Sequence, residues 1–195
     1  QTYPQLLMAG DNENICKIQK NVQYLVVSLE VPIESLRKII RAFPSVITLD
    51  LETNMIPVVE FLRDSCGVIN IGRFVSRFPP VLGYSVKDEL LPKWQFLCKV
   101  CDFGYFEVVR FPAYFSYPLD KVIIPRYEYL KAKSIPFEVV TIDEVLRYGD
   151  ADFARIVVGD EDGGDLFSRF LEERRKKILK KKSANLTPSN KQNRV

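Results

Sequence analysis

The sequence predicts an all-α fold, a helical-repeat solenoid, from two interleaved landmarks that share one period. The first landmark is Arg41-Ala-Phe-Pro-Ser-Val-Ile, Arg77-Phe-Pro-Pro-Val-Leu and Arg110-Phe-Pro-Ala-Tyr-Phe. The second is Met55-Ile-Pro-Val-Val-Glu-Phe-Leu, Leu90-Leu-Pro-Lys-Trp-Gln-Phe-Leu and Ile123-Ile-Pro-Arg-Tyr-Glu-Tyr-Leu. Phe43, Phe78 and Phe111 are separated by 35 and 33 residues, and Pro57, Pro92 and Pro125 by the same two steps. A repeat of this length marks an array in which each unit buries its apolar face on its neighbours.

The elements follow from local chemistry. Ile15 to Leu29 reads as a long helix leading into a second over Ile33–Phe43. In the middle repeat, Asn70 is placed to cap a short helix over Ile71–Phe78, with Phe74, Val75 and Phe78 at core spacing. Pro79-Pro80 ends it, because proline lacks the N–H and bars the preceding residue from helical geometry. Val81-Leu-Gly-Tyr84 suits a 3₁₀ turn. Ser85-Val-Lys-Asp88 reads as a capping box, with Asp88 in place of the usual Glu. A longer helix follows through Leu90, Leu91, Trp94, Leu97, Cys98 and Cys101.

Pro92 falls inside that helix, seven residues after Ser85. Pro57 lies four after Thr53 or seven after Asp50, and Pro125 nine after Ser116. Three prolines at one register predict a repeated bend. The unit is therefore helix, 3₁₀ turn, kinked helix. Beyond Leu130 the landmarks fade. Residues 137–148 and 152–157 are helix-like, and Asp160-Glu-Asp-Gly-Gly164 is a flexible acidic turn. Leu166, Phe167, Phe170, Leu171, Ile178 and Leu179 give a last amphipathic helix. The expected organisation is helical repeats over 1–164, clearest over 32–135, a basic helix over 165–182 and an unordered tail over 183–195.

Composition narrows the function. At 195 residues and 47% hydrophobic, the chain can bury a real core. No apolar run reaches membrane-spanning length, so no membrane partner is expected. The first residue is Gln1 rather than Met, which fits a targeting segment removed or omitted. Histidine is absent, which removes the commonest general base and metal ligand. Cys98-Lys-Val-Cys101 has CxxC spacing, but no second pair completes a zinc site, so Cys16, Cys66, Cys98 and Cys101 are read as reduced thiols. Asp160-Glu-Asp162 lacks any pocket-forming pattern around it. Catalysis, a cofactor, a metal and a small-molecule substrate are not expected.

The charge is unevenly distributed. Residues 1–135 carry 16 Lys/Arg against 14 Asp/Glu, residues 136–164 carry 2 against 8, and residues 165–195 carry 10 against 3. On the short helices Arg37 and Arg41 share a face, as do Arg73 and Arg77, and Arg110 aligns with Arg77. Lys93 and Arg126 align directly after the helix prolines, where the first repeat has Val58. Stacked repeats would line these cations into a ribbon able to follow a phosphate backbone. The same cations also serve as an ordinary solvated face, and Glu89, Asp102, Glu107 and Glu128 dilute the field. Arg174, Arg175, Lys176, Lys177, Lys180, Lys181 and Lys182 put seven basic residues in nine. They suit a helix C-terminus, a nuclear localisation signal or a nucleic-acid contact. Most aromatics read as core, with Tyr105 and Tyr127 the best exposed candidates for base stacking.

Arg77-Phe-Pro-Pro-Val-Leu-Gly-Tyr-Ser with Leu91-Pro-Lys, and Arg110-Phe-Pro-Ala-Tyr-Phe-Ser-Tyr-Pro-Leu with Ile124-Pro-Arg, resemble the mitochondrial transcription termination factor (mTERF) family, and its plant branch more than the animal one. The resemblance covers roughly residues 32–135, more loosely 15–182. It implies a curved, left-handed superhelix and a C-terminal portion or reduced member. It implies an organellar regulator of gene expression, in the chloroplast or alternatively the mitochondrion. Such a regulator binds double-stranded DNA or RNA, ribosomal RNA included, in transcription termination, transcription regulation, RNA processing or splicing. The family also weighs against the nuclear reading of the tail. The near-neutral repeats and the acidic 136–164 segment keep open a protein-binding scaffold of an organellar ribosome or transcription assembly, with a partner on 136–182.

Overall fold

The computed structural model describes residues 5–162 and 164–185. Among these every regular element is a helix or helical turn, and no strand occurs. In chain order they are α1 (Gln5–Gln23), α2 (Ile33–Ala42), α3 (Ile56–Glu60), α4 (Ile71–Arg77), α5 (Leu91–Lys99) and α6 (Tyr105–Arg110). Then come α7 (Ile124–Ala132), α8 (Ile142–Arg147), the short α9 (Asp150–Asp152) and α10 (Asp165–Asn185). The repeat is visible in the backbone as well as in the letters.

Each Phe-Pro landmark makes the same corner. Phe43, Phe78 and Phe111 have φ/ψ of −144/77, −143/72 and −130/74. Proline at the next position forces this geometry, since it bars the preceding residue from the helical region. Each Phe amide still donates four residues back, to Ile39, Phe74 and Glu107. Each Phe carbonyl then accepts from the 3₁₀ turn that follows, at Val46, Val81 and Tyr114. Those turns are Pro44–Ile47, Pro79–Gly83 and Pro112–Ser116. The pairs Phe78–Tyr84 and Phe111–Tyr117 repeat one ring geometry, 6.1 Å apart in both.

The bend expected at the helix prolines takes a specific form. Ahead of Pro57, Pro92 and Pro125 the helix opens into a wider, π-type turn: Leu51–Met55, Val86–Leu90 and Leu119–Ile123. A proline inside an α-helix clashes with the carbonyl four residues back, and a widened turn moves that carbonyl aside. Asp50 rather than Thr53 caps the first of these turns, accepting from the Thr53 amide at 2.8 Å. Ser116 is no cap, because its hydroxyl donates to Ala113; the residue ahead of the third turn is Pro118. The register from the residue ahead of the turn to the proline is thus seven in every repeat. At Ser85 the hydroxyl accepts from Asp88 N–H, but the Ser85 amide donates to Glu89 and not to Asp88.

Two compact units divide the chain, residues 1–119 and 120–195. In the first, α2 packs on α4 and on the turn Pro79–Gly83. Leu25, Ile39, Met55, Leu62, Leu82, Leu90, Leu97 and Phe115 are fully buried there. Gly72 lets α4 approach the end of the first helical segment, since a Cβ at that position would lie 2.2 Å from the Leu29 carbonyl oxygen. In the second unit α10 packs on α7 and α9. Its core is aromatic, with Tyr129–Phe167 at 4.8 Å and Phe153–Phe167 at 5.2 Å.

Three expectations need correction. Residues 137–148 are not one helix: a 3₁₀ turn over Phe137–Val139 is followed by extended Val140 and a fresh start at α8. Thr141 and Glu144 form a full capping box there, which favours a new N-terminus over continuation. In α10 Leu166 and Leu179 are exposed while Phe167 is buried, so its apolar stripe is narrower than expected. The helix also runs on to Asn185, with Ser183 donating back to the Lys180 carbonyl. The rest of the expected unordered tail, 186–195, lies outside the described residues.

Candidate nucleic-acid interface

The cations that the sequence aligned separate into two groups. One group is used by the fold. Lys93, 7% exposed, donates to the Phe115 carbonyl at 2.5 Å, with its Nζ 5.3 Å from the centre of the Tyr84 ring. Tyr114 returns a hydrogen bond to the Lys93 carbonyl. Arg126, 4% exposed, donates to the Val145 and Leu146 carbonyls, pairs with Asp150 at 2.8 Å and lies over the Phe153 ring. Both therefore leave the expected ribbon. The physical reason is shared: carbonyls at the end of a helical turn lack partners and carry the negative end of the dipole, and a long cation supplies both needs. Burial holds the Lys93 ammonium below its ordinary value, with Glu89 pulling partly the other way.

Arg77 plays the same part at the surface. Its two guanidinium nitrogens donate to the Val109 and Arg110 carbonyls at 2.5 and 2.7 Å, closing the C-terminus of α6 from α4. Arg174 pairs with Glu128 at 2.6 Å and reaches the Asp120 carbonyl, which docks α10. Position in the repeat could not foretell these roles, because the acceptors lie about one repeat away or farther. Asn21 was missed altogether. It is buried in α1 and donates to the Val46 and Leu49 carbonyls, serving the first 3₁₀ turn.

The other group is exposed. Arg37 and Arg41 lie on α2 beside Ile33, Leu36 and Ile40. Arg73 on α4 and Arg110 on α6 are exposed, and neither forms an ion pair among the described residues. Lys38, five residues before Phe43 as Arg73 is before Phe78, is also exposed, and the residue alignment could have found it. Arg175, Lys176, Lys177, Lys180, Lys181 and Lys182 are exposed along the last turns of α10.

Between α4 and α6 lies a groove of about 580 Å³. Arg73, Arg77 and Arg110 edge it, Phe74 and Val109 line it, and no Asp or Glu is among its lining residues. Its mouth is strongly apolar: Ile69 is 91% exposed, Phe106 70% and Tyr105 40%. The Tyr105 and Phe106 rings lie 4.8 Å apart. The helical spacing of Phe106 and its apolar neighbours read as core packing, yet its ring is exposed. Tyr127, by contrast, is half-buried and packs edge-on against Phe137 at 5.3 Å.

The two buried thiols have little reactive character. Burial, with a smaller effect of Cys98, pushes Cys66 well above the usual range and Cys101 up to about 12, so neither forms a thiolate near neutrality. In the second unit buried Asp160 accepts from Tyr129 and from Lys133, the latter at 2.5 Å. Burial raises its carboxyl, but these hydrogen bonds and the Lys133 charge outweigh that and leave it below the ordinary value. Among the described residues no helix is long and apolar enough to cross a membrane.

A helical repeat with a Phe-Pro corner and a proline-marked widened turn defines a class of α-repeat protein. The mTERF family profile matches residues 1–154, and the chain belongs to the mTERF family. It is 30% identical over 96 residues to the Arabidopsis thaliana protein named transcription termination factor MTERF5, chloroplastic; the match covers 49% of this chain and 19% of that protein. It is 27% identical over 138 residues to transcription termination factor MTERF2, chloroplastic, of the same plant, covering 70% of this chain and 21% of that protein. The chain thus spans about a fifth of the length of these relatives.

Proposed function

We propose that the chain belongs to an organellar nucleic-acid-binding regulator of gene expression, acting in transcription termination or regulation, or in RNA processing or splicing. The chloroplast is its compartment in this reading, as in the names of the two relatives, with the mitochondrion as the alternative. The observation that carries the reading is the α4–α6 groove, where exposed Arg73 and Arg110 face solvent with no carboxylate among the lining residues. Guanidinium groups left free in such a setting attract phosphate. The basic end of α10 supplies a second, less shaped attraction. Of the cations used by the fold, Arg77 ties the walls of this groove together, whereas Lys93, Arg126 and Arg174 are spent on contacts elsewhere.

Charge reversal tests the reading without disturbing those structural cations. The Arg73→Glu/Arg110→Glu variant is expected to keep its helical circular dichroism while its affinity for labelled DNA and RNA falls at least tenfold at low salt. Unchanged affinity for every nucleic acid would sink it. A protein-binding scaffold is the second reading, favoured by Val139, Ile156 and Leu179, which are exposed on the second unit. Partners retained from organelle extract after nuclease treatment would support it.

A further inference from the structure

We propose that the α4–α6 groove seats an unpaired nucleobase, so that this chain prefers single-stranded over duplex nucleic acid; this rests on the nucleic-acid reading above. Three observations combine. Tyr105 and Phe106 form an exposed aromatic pair, 40% and 70% exposed with rings 4.8 Å apart, beside Ile69 at 91%. Isolated exposed apolar side chains are ordinary, but a contiguous cluster at the mouth of a groove is the mark of a contact surface. The walls are held before any ligand arrives, because Arg77 ties α4 to the Val109 and Arg110 carbonyls of α6. A preorganised seat loses less freedom on binding. The free guanidiniums of Arg73 and Arg110, with no carboxylate among the lining residues, make the surface complementary to an anion.

A ligand that fits must therefore offer a flat apolar face and a negative charge within a few bonds of each other. An unstacked nucleotide does so, placing its base on the aromatic pair and its phosphates against the arginines. A duplex hides its base faces in the stack and offers only phosphates and groove edges. The aromatic pair would then add nothing to duplex binding, while the arginines would act on both forms.

Fluorescence anisotropy on the whole chain separates these contributions. The probes are a short labelled RNA single strand, the DNA single strand of the same sequence and the blunt DNA duplex. Tyr105→Ala/Phe106→Ala should weaken both single strands about tenfold and leave the duplex unchanged. Phe106→Trp, which preserves a stacking face, should retain single-strand affinity. A 2-aminopurine placed in the strand should be quenched by the wild type and not by the double alanine variant. Circular dichroism confirms that each variant is folded. Equal losses on single strand and duplex, or none on either, overturn the base seat. If Arg73→Glu/Arg110→Glu still weakens all probes in that case, the broader nucleic-acid reading survives. If the aromatic variant instead weakens binding to phosphatidylglycerol vesicles or to an acidic peptide, with nucleic acids unaffected, the seat belongs to another partner and the proposal fails.

Discussion

Lys93 and Arg126 occupy the same place in consecutive repeats, and both are buried against carbonyls farther along the chain. Their chemistry, a long cation after a helix proline, was legible from the sequence. Their destination was not, because a cation that closes a helix end and one that meets a phosphate look alike in a repeat alignment. Asp160 makes a parallel case in the second unit. Its carboxylate is stabilised by Tyr129 and Lys133, so its pKa lies below the unfolded value of 3.8. The unfolded chain therefore binds more protons between those two values. The stabilisation is fully present above the unfolded pKa and is lost as pH falls through the folded one. Asp160→Asn should lower stability at neutral pH by about 1–2 kcal/mol, since a charge-assisted hydrogen bond is replaced by a neutral one. It should also flatten the acid limb of denaturation. Urea melts of both proteins at neutral pH and at pH about 3 would check the sign.

At the scale of the element, the Phe-Pro corner and the proline-marked turn were readable because both come from backbone sterics within five residues. A third landmark escaped. Glu30, Gly67, Asp102 and Ser134 all have positive φ, at 54°, 68°, 57° and 57°, at the end of successive helical segments. The amides of Val31, Val68 and Phe103 close these ends on carbonyls six residues back, and Ile135 on one five back. This is the left-handed helix stop that glycine suits best, yet three of the four positions hold other residues. A glycine-based scan passes over them for that reason. Asp102→Gly should stabilise the first unit by about 0.5–1 kcal/mol, the relieved left-handed strain exceeding the added freedom of the unfolded chain. A thermal melt checks this, and a lower midpoint would count against a strained stop at Asp102.

For the whole molecule, charge is the property that the sequence exposed most directly: near-neutral repeats, an acidic segment and a basic end. The exposed cations of α10 should act as a diffuse attraction rather than a shaped site. Replacing Lys180, Lys181 and Lys182 with Ser should weaken single strands and duplexes alike. It should also reduce the slope of log affinity against log salt by up to about 2–3, whereas the aromatic variant should leave that slope unchanged. Titrations at several salt concentrations distinguish the two. By itself the sequence determined the helical repeat, its period, its corners and the family, because those depend on local stereochemistry repeated along the chain. Only the tertiary structure decided which cations are spent on carbonyls and which face solvent, and that Phe106 stands open beside Arg73 and Arg110. Those outcomes depend on groups far along the chain, 19 residues away for Arg126 and Val145 and 33 for Arg77 and Arg110, where packing and the need to satisfy helix ends choose the partner.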